Sequence, residues 1–194
     1  MQNHMTFVAM HRKGVIKMLK PAQLYREELN KKYTETWYDP KYQYYFCGTD
    51  RYELQIPDNT ENGKFNFVCV DKDNNVTGYF SYWVDWQSLS VSNFGLMSFA
   101  NSNVEFIREV INHIVDLFAF HNINRIDFWC FKDNPANEGY AKLVKRFGGK
   151  QVGELHQVSC LLDGQLHDTV SYEIMQNTEL AVHMLKRRLK KLLD

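Results

Sequence analysis

From Val104 to Phe120 the apolar residues Val104, Ile107, Ile111, Ile114, Val115 and Phe118 recur every three or four positions. Arg108, Glu109, Asn112 and Asp116 take the opposite side, which is the period of an amphipathic α-helix. Ser102 followed by Glu105 reads as a capping box at its start, and Asn122 closes it. The pattern changes in the stretch before it. Lys64 to Asp71 alternates, with Phe65, Phe67 and Cys69 on one face, and 76–86 and 91–99 are similarly strand-like. Asp71-Lys72-Asp73-Asn74-Asn75 between the first two is a turn by composition, so this pair reads as an antiparallel hairpin.

A short strand is expected at 15–20, stopped by Pro21, and an amphipathic helix from Ala22 to Trp37. Residues 38–62 look irregular, broken by Pro40, Gly48 and Pro57. After the long helix come a strand at 125–131, a shorter helix at 136–147 stopped by Gly148-Gly149, and strands at 150–162 and 166–175. Asp163-Gly164 joins the last two as a hairpin, and a helix runs from Asn177 to the end. Strand 91–99, helix 104–120 and strand 125–131 form a βαβ crossover, hence a parallel pair inside a mostly antiparallel sheet. The fold class is α/β in this mixed α+β sense: a central sheet flanked by helices, with a C-terminal amphipathic helix. The expected divisions are an extension at 1–14, a domain at 15–175 and the terminal helix at 176–194.

Composition narrows the function. The 194 residues are 44% hydrophobic and 24% charged, which suits a folded domain. Lys and Arg total 23 and so do Asp and Glu, so nucleic acid, which rewards a basic excess, is not an expected partner. No apolar run approaches the length of a membrane span, and none near the N-terminus suits a signal peptide, so no membrane partner is expected and the cytoplasm is the expected location. Cys47, Cys69, Cys130 and Cys160 lack metal or redox spacing and read as reduced, buried thiols. The seven histidines show no ligand pairing, and the 71–75 turn lacks the glycine and closing glutamate of a calcium loop, so no metal is assigned.

The element order, with Asn122-Ile123-Asn124-Arg125-Ile126 leaving the long helix and 137–149 forming the next one, resembles the GNAT family of acetyl-CoA-dependent N-acyltransferases. The resemblance covers about residues 15–175. It implies an N-acetyltransferase using acetyl-CoA, with a small-molecule or peptide amine as acceptor. It further implies that pantetheine pairs with Leu96, Met97, Ser98 and Phe99. The pyrophosphate would sit at the following turn and helix start, Ala100, Asn101, Ser102, Asn103 and Val104, and Asn137 would contact the cofactor. Two departures are visible. The family's glycine-rich loop positions fall on Ser102, Glu105 and Ile107, which places a carboxylate near the phosphates. The usual acidic tyrosine position is Val144, with Tyr140 one helical turn earlier as a substitute.

For a general base, Asp85 lies between Trp83 and Trp86, where partial burial would raise its pKa, and Asp127 is a lesser candidate. Tyr140 reads equally as packing, and Asp85 as a solvated strand end. Seven rings between Tyr33 and Phe46 (Tyr33, Trp37, Tyr38, Tyr42, Tyr44, Tyr45 and Phe46) would overhang the acceptor side. They suit an aromatic, aliphatic or cationic acceptor, or core or homodimer packing. The basic terminal helix, with Lys186, Arg187, Arg188, Lys190 and Lys191, docks its leucines on the domain or on a partner. Two functional classes stay open: an acetyltransferase, and a GNAT-like module that has lost catalysis and serves binding.

Overall fold

The computed structural model describes residues 19–45, 54–58, 63–101 and 103–176, with the isolated helical positions 182, 186 and 190. Strands are β1 (Leu19–Pro21), β2 (Lys64–Val70), β3 (Val76–Asp85), β4 (Ser90–Ser98), β5 (Arg125–Phe131), β6 (Lys150–Cys160) and β7 (Leu166–Met175). Helices are α1 (Arg26–Thr34), α2 (Val104–Phe120) and α3 (Asn137–Arg146). The seven strands form one sheet in the order β1-β2-β3-β4-β5-β7-β6. Every neighbouring pair is antiparallel except β4 and β5, which are parallel, as a crossover through α2 requires.

Strand parity divides the core. Phe65, Phe80, Tyr82, Ile126, Val170 and Ile174 point to the side covered by α2 and α3, where Phe106, Val110, Phe118, Val144 and Phe147 meet them. Val68, Val70, Tyr79 and Met97 point to the other side and pack on Ala22, Leu29 and Tyr33 of α1 and its entry. Gly78 sets how closely α2 can approach, because a Cβ there would lie 2.9 Å from the Phe106 ring. On the α2 side His113 is buried, and its Nε2 lies 2.8 Å from the Tyr82 hydroxyl, which satisfies both groups inside the core.

Several expectations are corrected. The helix expected at 22–37 starts as a 3-10 turn at Ala22–Tyr25 and ends at Thr34. The cap of α2 is Asn103, whose Oδ1 accepts from the Phe106 amide at 3.3 Å. Its Nδ2 donates to the Thr77 carbonyl at 2.9 Å, a bond that ties the helix start to the sheet. Glu105 pairs with Arg108 one turn on, and the capping box expected of Ser102 and Glu105 involves a residue outside the described ones. Cys69 and Cys130 are buried, but Cys160 is exposed because β6 is an edge strand. Cys47, Phe46, Ser102, residues 1–18 and most of 177–194 lie outside the described residues, although Val182, Lys186 and Lys190 are helical. No helix among the described residues is long and apolar enough to cross a membrane.

Candidate active site

β4 and β5 are paired only at Ser90–Arg125 and Val91–Ile126, and beyond these residues they part. A bulge helps to open them. Ser81 faces Gly95 across the β3–β4 ladder while Trp83 faces Ser92, so β4 carries one extra residue, and Asn93 takes a left-handed φ of 52°. Past the bulge the Phe99 amide donates to Thr77 at 2.9 Å. By alternation Met97 and Gly95 also turn their main-chain groups to β3, and those of Leu96 and Ser98 turn toward β5. On the facing strand the Lys132 amide donates to Asp168 at 2.9 Å, which commits the even-numbered residues to β7. Asp127 and Trp129 therefore aim their main-chain groups at the gap. A slot edged by main-chain donors and acceptors is the result.

This slot opens into a cleft of about 1320 Å³ that passes through the sheet. On the α2/α3 side its walls include Phe106, Ile107, Val110, Phe128, Cys130 and Tyr140. On the α1 side they include Tyr42, Tyr44, Tyr45, Lys64, Trp83 and Trp129. Of the residues expected at a cofactor, Leu96, Met97 and Ser98 line the cleft, with the Ser98 hydroxyl turned back to Ala100 O at 2.9 Å. Phe99, Ala100, Asn101, Asn103 and Val104 follow in the chain without lining it, and Asn101 accepts from Lys41 Nζ at 3.1 Å.

Tyr140 reaches the cleft from α3 and packs edge-on against Phe128, with centroids 5.9 Å apart. Burial, with a smaller contribution from Cys130, pushes its phenol up to about 12. No hydrogen bond to its hydroxyl is present among the described residues. Asn137 is different. Its Oδ1 accepts from the Tyr172 hydroxyl at 2.7 Å and the Cys130 thiol at 3.2 Å, and its Nδ2 donates to Lys132 O at 2.9 Å. The side chain joins α3 to β5 and β7 and is not among the described residues that line the cleft.

Asp85 lacks the partial burial expected of it. It is exposed at the end of β3, does not line the cleft and organises a turn. Its carboxylate accepts from Ser88 Oγ at 2.7 Å and from the Gln87 amide at 2.8 Å. These bonds hold its pKa below the usual carboxylate range, opposite to the expected rise. Asp127 is half-buried and burial raises its pKa, against the pull of Arg125 at 3.2 Å. No Asp or Glu lines the cleft among the described residues.

Sequence reasoning missed Lys64, which is buried on β2 with its Nζ 5.9 Å from the Trp83 ring centroid. It also missed how closely the Tyr45 hydroxyl overlies β4. A Cβ on Gly95 would lie 2.9 Å from that hydroxyl and 2.6 Å from Ser81 Oγ, so only glycine leaves the room at the slot. Outside the cleft, Glu154, His156 and Asp168 converge on one surface spot. Lys132 already pairs with Glu154 there, making an ion-pair network.

His167 supports the aromatic wall from below. Its Nδ1 lies 2.7 Å from Asp133 and its Nε2 3.1 Å from Asp163, and the Tyr44 hydroxyl donates to Asp133 at 3.4 Å. Only the imidazolium can donate on both sides, and these bonds, led by that to Asp163, raise its pKa despite its burial. The folded value therefore lies above the unfolded one. The resulting stability is full below about pH 6.5 and is lost as pH rises through the folded value. The melting temperature of the wild type should fall more than that of His167→Gln between about pH 6 and about pH 9. Parallel curves for the two proteins would contradict this account.

No protein-family model matches the sequence, and no curated protein matches it. Among solved structures, the chain is similar to spermidine N-acetyltransferase from Vibrio cholerae in complex with CoA and spermine. The identity is 19% and the TM-score 0.62, covering 81% of this chain and 94% of that one. It is also similar to a GCN5-related N-acetyltransferase from Brucella melitensis, at 17% identity and a TM-score of 0.57, over 81% and 74% of the two chains. At these identities the likeness establishes the fold: this chain has the GNAT fold.

Proposed function

We propose that the chain is an acetyl-CoA-dependent N-acetyltransferase that passes an acetyl group to a primary amine of a small molecule or peptide by direct attack. The observation that carries this reading is the parting of β4 from β5 with the main-chain groups of Leu96 and Ser98 aimed into the gap. An extended amide-bearing arm such as pantetheine fits there as a surrogate strand. The residues present suit the rest of the molecule unevenly. The free amides at the start of α2 favour phosphate, but Asn103 already takes that of Phe106, and Glu105 adds a carboxylate neutralised by Arg108.

Acyl transfer from a thioester needs no covalent enzyme intermediate, so placement of the two reactants supplies most of the gain. Main-chain N–H groups beside the bulge can hold the oxyanion that develops on the thioester carbonyl. The Tyr140 hydroxyl, protonated at neutral pH and aimed into the cleft, donates to the departing thiolate. With no carboxylate among the described lining residues, the amine's proton leaves through water on the acceptor side.

A second reading, a binding module without catalysis, is favoured by the helix start, where an expected phosphate amide is already capped by Asn103. One pair of measurements separates the two. Acetyl-CoA should raise the melting temperature of the wild type. Leu96→Pro should abolish that rise, because the Leu96 amide lies outside the β3 ladder and faces the slot. The side chain's lost packing on the core lowers the unliganded melting temperature, against which the shift is read. A wild type indifferent to millimolar acetyl-CoA supports the binding module, and an undiminished shift in Leu96→Pro removes pantetheine from the slot.

A further inference from the structure

Resting on the acetyltransferase reading, we infer that the acceptor is an arylalkylamine, one primary amine on a short chain from an aromatic ring, and not a polyamine. The acceptor side of the cleft is walled by rings from three separate parts of the chain. Tyr42, Tyr44 and Tyr45 come from the segment after α1, Trp83 from β3 and Trp129 from β5. Trp83 and Trp129 remain 38% and 39% exposed although both sit on interior strands of the sheet. Several are held in place from behind: Tyr45 sits edge-on to Tyr33 and Tyr79, and Trp129 is edge-on to Phe131. Tyr44 is similarly braced by Phe131 and His167. Braced rings that stay partly exposed in a cleft, with Lys64 over Trp83 and Lys41 over Tyr42, match a flat apolar guest, which recovers both burial and ring–ring geometry.

Charge argues the same way. A polyamine brings further ammonium groups that must find counter-charges as they leave water. Among the described residues the charged groups lining the cleft are Lys41 and Lys64, and no carboxylate lines it. A single amine that reacts as the neutral base brings no such demand, because its nitrogen becomes an amide.

The test uses the full chain and acetyl-CoA with 2-phenylethylamine, tryptamine, butylamine and spermidine as acceptors. The two arylalkylamines should exceed butylamine and spermidine in kcat/KM by at least about tenfold, the selectivity expected of one well-packed ring. Trp83→Ala should lower kcat/KM for 2-phenylethylamine about tenfold more than for butylamine, while Trp83→Phe should restore most of the loss. Spermidine equal to or better than the arylalkylamines would overturn the inference, as would a Trp83→Ala loss shared equally by butylamine. Binding of each amine, read by tryptophan fluorescence with and without acetyl-CoA, decides the acceptor even where no turnover occurs. Tighter binding of 2-phenylethylamine than of spermidine supports it, and the reverse order rejects it. A protein that prefers the aromatic amine yet ignores acetyl-CoA would keep this wall and lose the acetyltransferase reading.

Discussion

Tyr140→Phe is expected to lower kcat about a hundredfold, in the range seen when one preorganised donor to a developing charge is removed, while leaving affinity for acetyl-CoA within about twofold. The asymmetry comes from what the hydroxyl does at each stage. A bound thioester carries no charge on sulfur, so the phenol gains little from it. Negative charge grows on that sulfur only as the C–S bond breaks, and a donor in a poorly solvated cleft is worth most then. With its phenol at about 12 and a thiol near about 8.5, full proton transfer is uphill, so the hydroxyl acts as a hydrogen-bond donor and water completes protonation. Loss of the hydroxyl should leave the fold intact, since no hydrogen bond to it is present among the described residues and the ring still packs on Phe128. Single-turnover thiol release alongside acetyl-CoA titration measures both quantities. A kcat within about threefold of wild type would assign leaving-group stabilisation elsewhere in the cleft.

Much of the architecture could be read from periodicity because its signals are local. The alternation of Phe65, Phe67 and Cys69 reports its buried face without reference to distant residues. The 3.6-residue repeat of 104–120 reports the helix but not its buried face, since Val104 and Ile107 are exposed while Phe106, Val110, His113 and Leu117 are buried. Asp163-Gly164 turned out to be a hairpin turn, with Gly164 at a φ of 75°. Errors arose where a distant partner made the choice. Ser102 and Asn103 are adjacent residues equally able to cap a helix, and Asn103 is selected by Thr77, twenty-six positions away in sequence. Asp85 is flanked by tryptophans in sequence, but it stands exposed at the end of its strand and spends its carboxylate on the Gln87 amide and the Ser88 hydroxyl of the following bend.

The site was legible as a topology and illegible as a set of side chains. The parallel β4–β5 pair follows from a strand–helix–strand order, and two parallel strands joined by one long crossover have no local turn to keep them together. The bulge that parts them rests on Asn93 at positive φ, and an asparagine followed two residues later by Gly95 was the one available sign. The aromatic wall could be only half seen. Tyr42, Tyr44 and Tyr45 are close in sequence, whereas Trp83 and Trp129 join them only once the sheet is assembled. His167 was unreadable for the same reason, since Asp133 and Asp163 lie in different turns.

Asn137→Ala should lower stability by about 2–3 kcal/mol, several degrees of melting temperature for a domain of this size, and reduce kcat as well. The position was found by resemblance, but its role follows from its bonds. Truncation strips the acceptor from the Tyr172 hydroxyl and the Cys130 thiol, both on buried residues, and the donor from the Lys132 carbonyl. A buried hydroxyl left without a partner keeps its desolvation penalty, so the loss exceeds what one hydrogen bond contributes. These bonds also set where α3 begins, and Tyr140 lies on the same face one turn later. Loosening the helix start therefore moves the hydroxyl that faces the leaving group, and small displacements of such a group are expensive in rate. Asn137→Asp keeps the acceptor oxygen while losing the donor and should fall between alanine and wild type in both measurements. A direct cofactor contact would behave otherwise, raising the KM for acetyl-CoA with the melting temperature unchanged. That outcome would return Asn137 to the cleft, and the pairing of a lower melting temperature with a lower kcat at constant KM keeps it behind the wall.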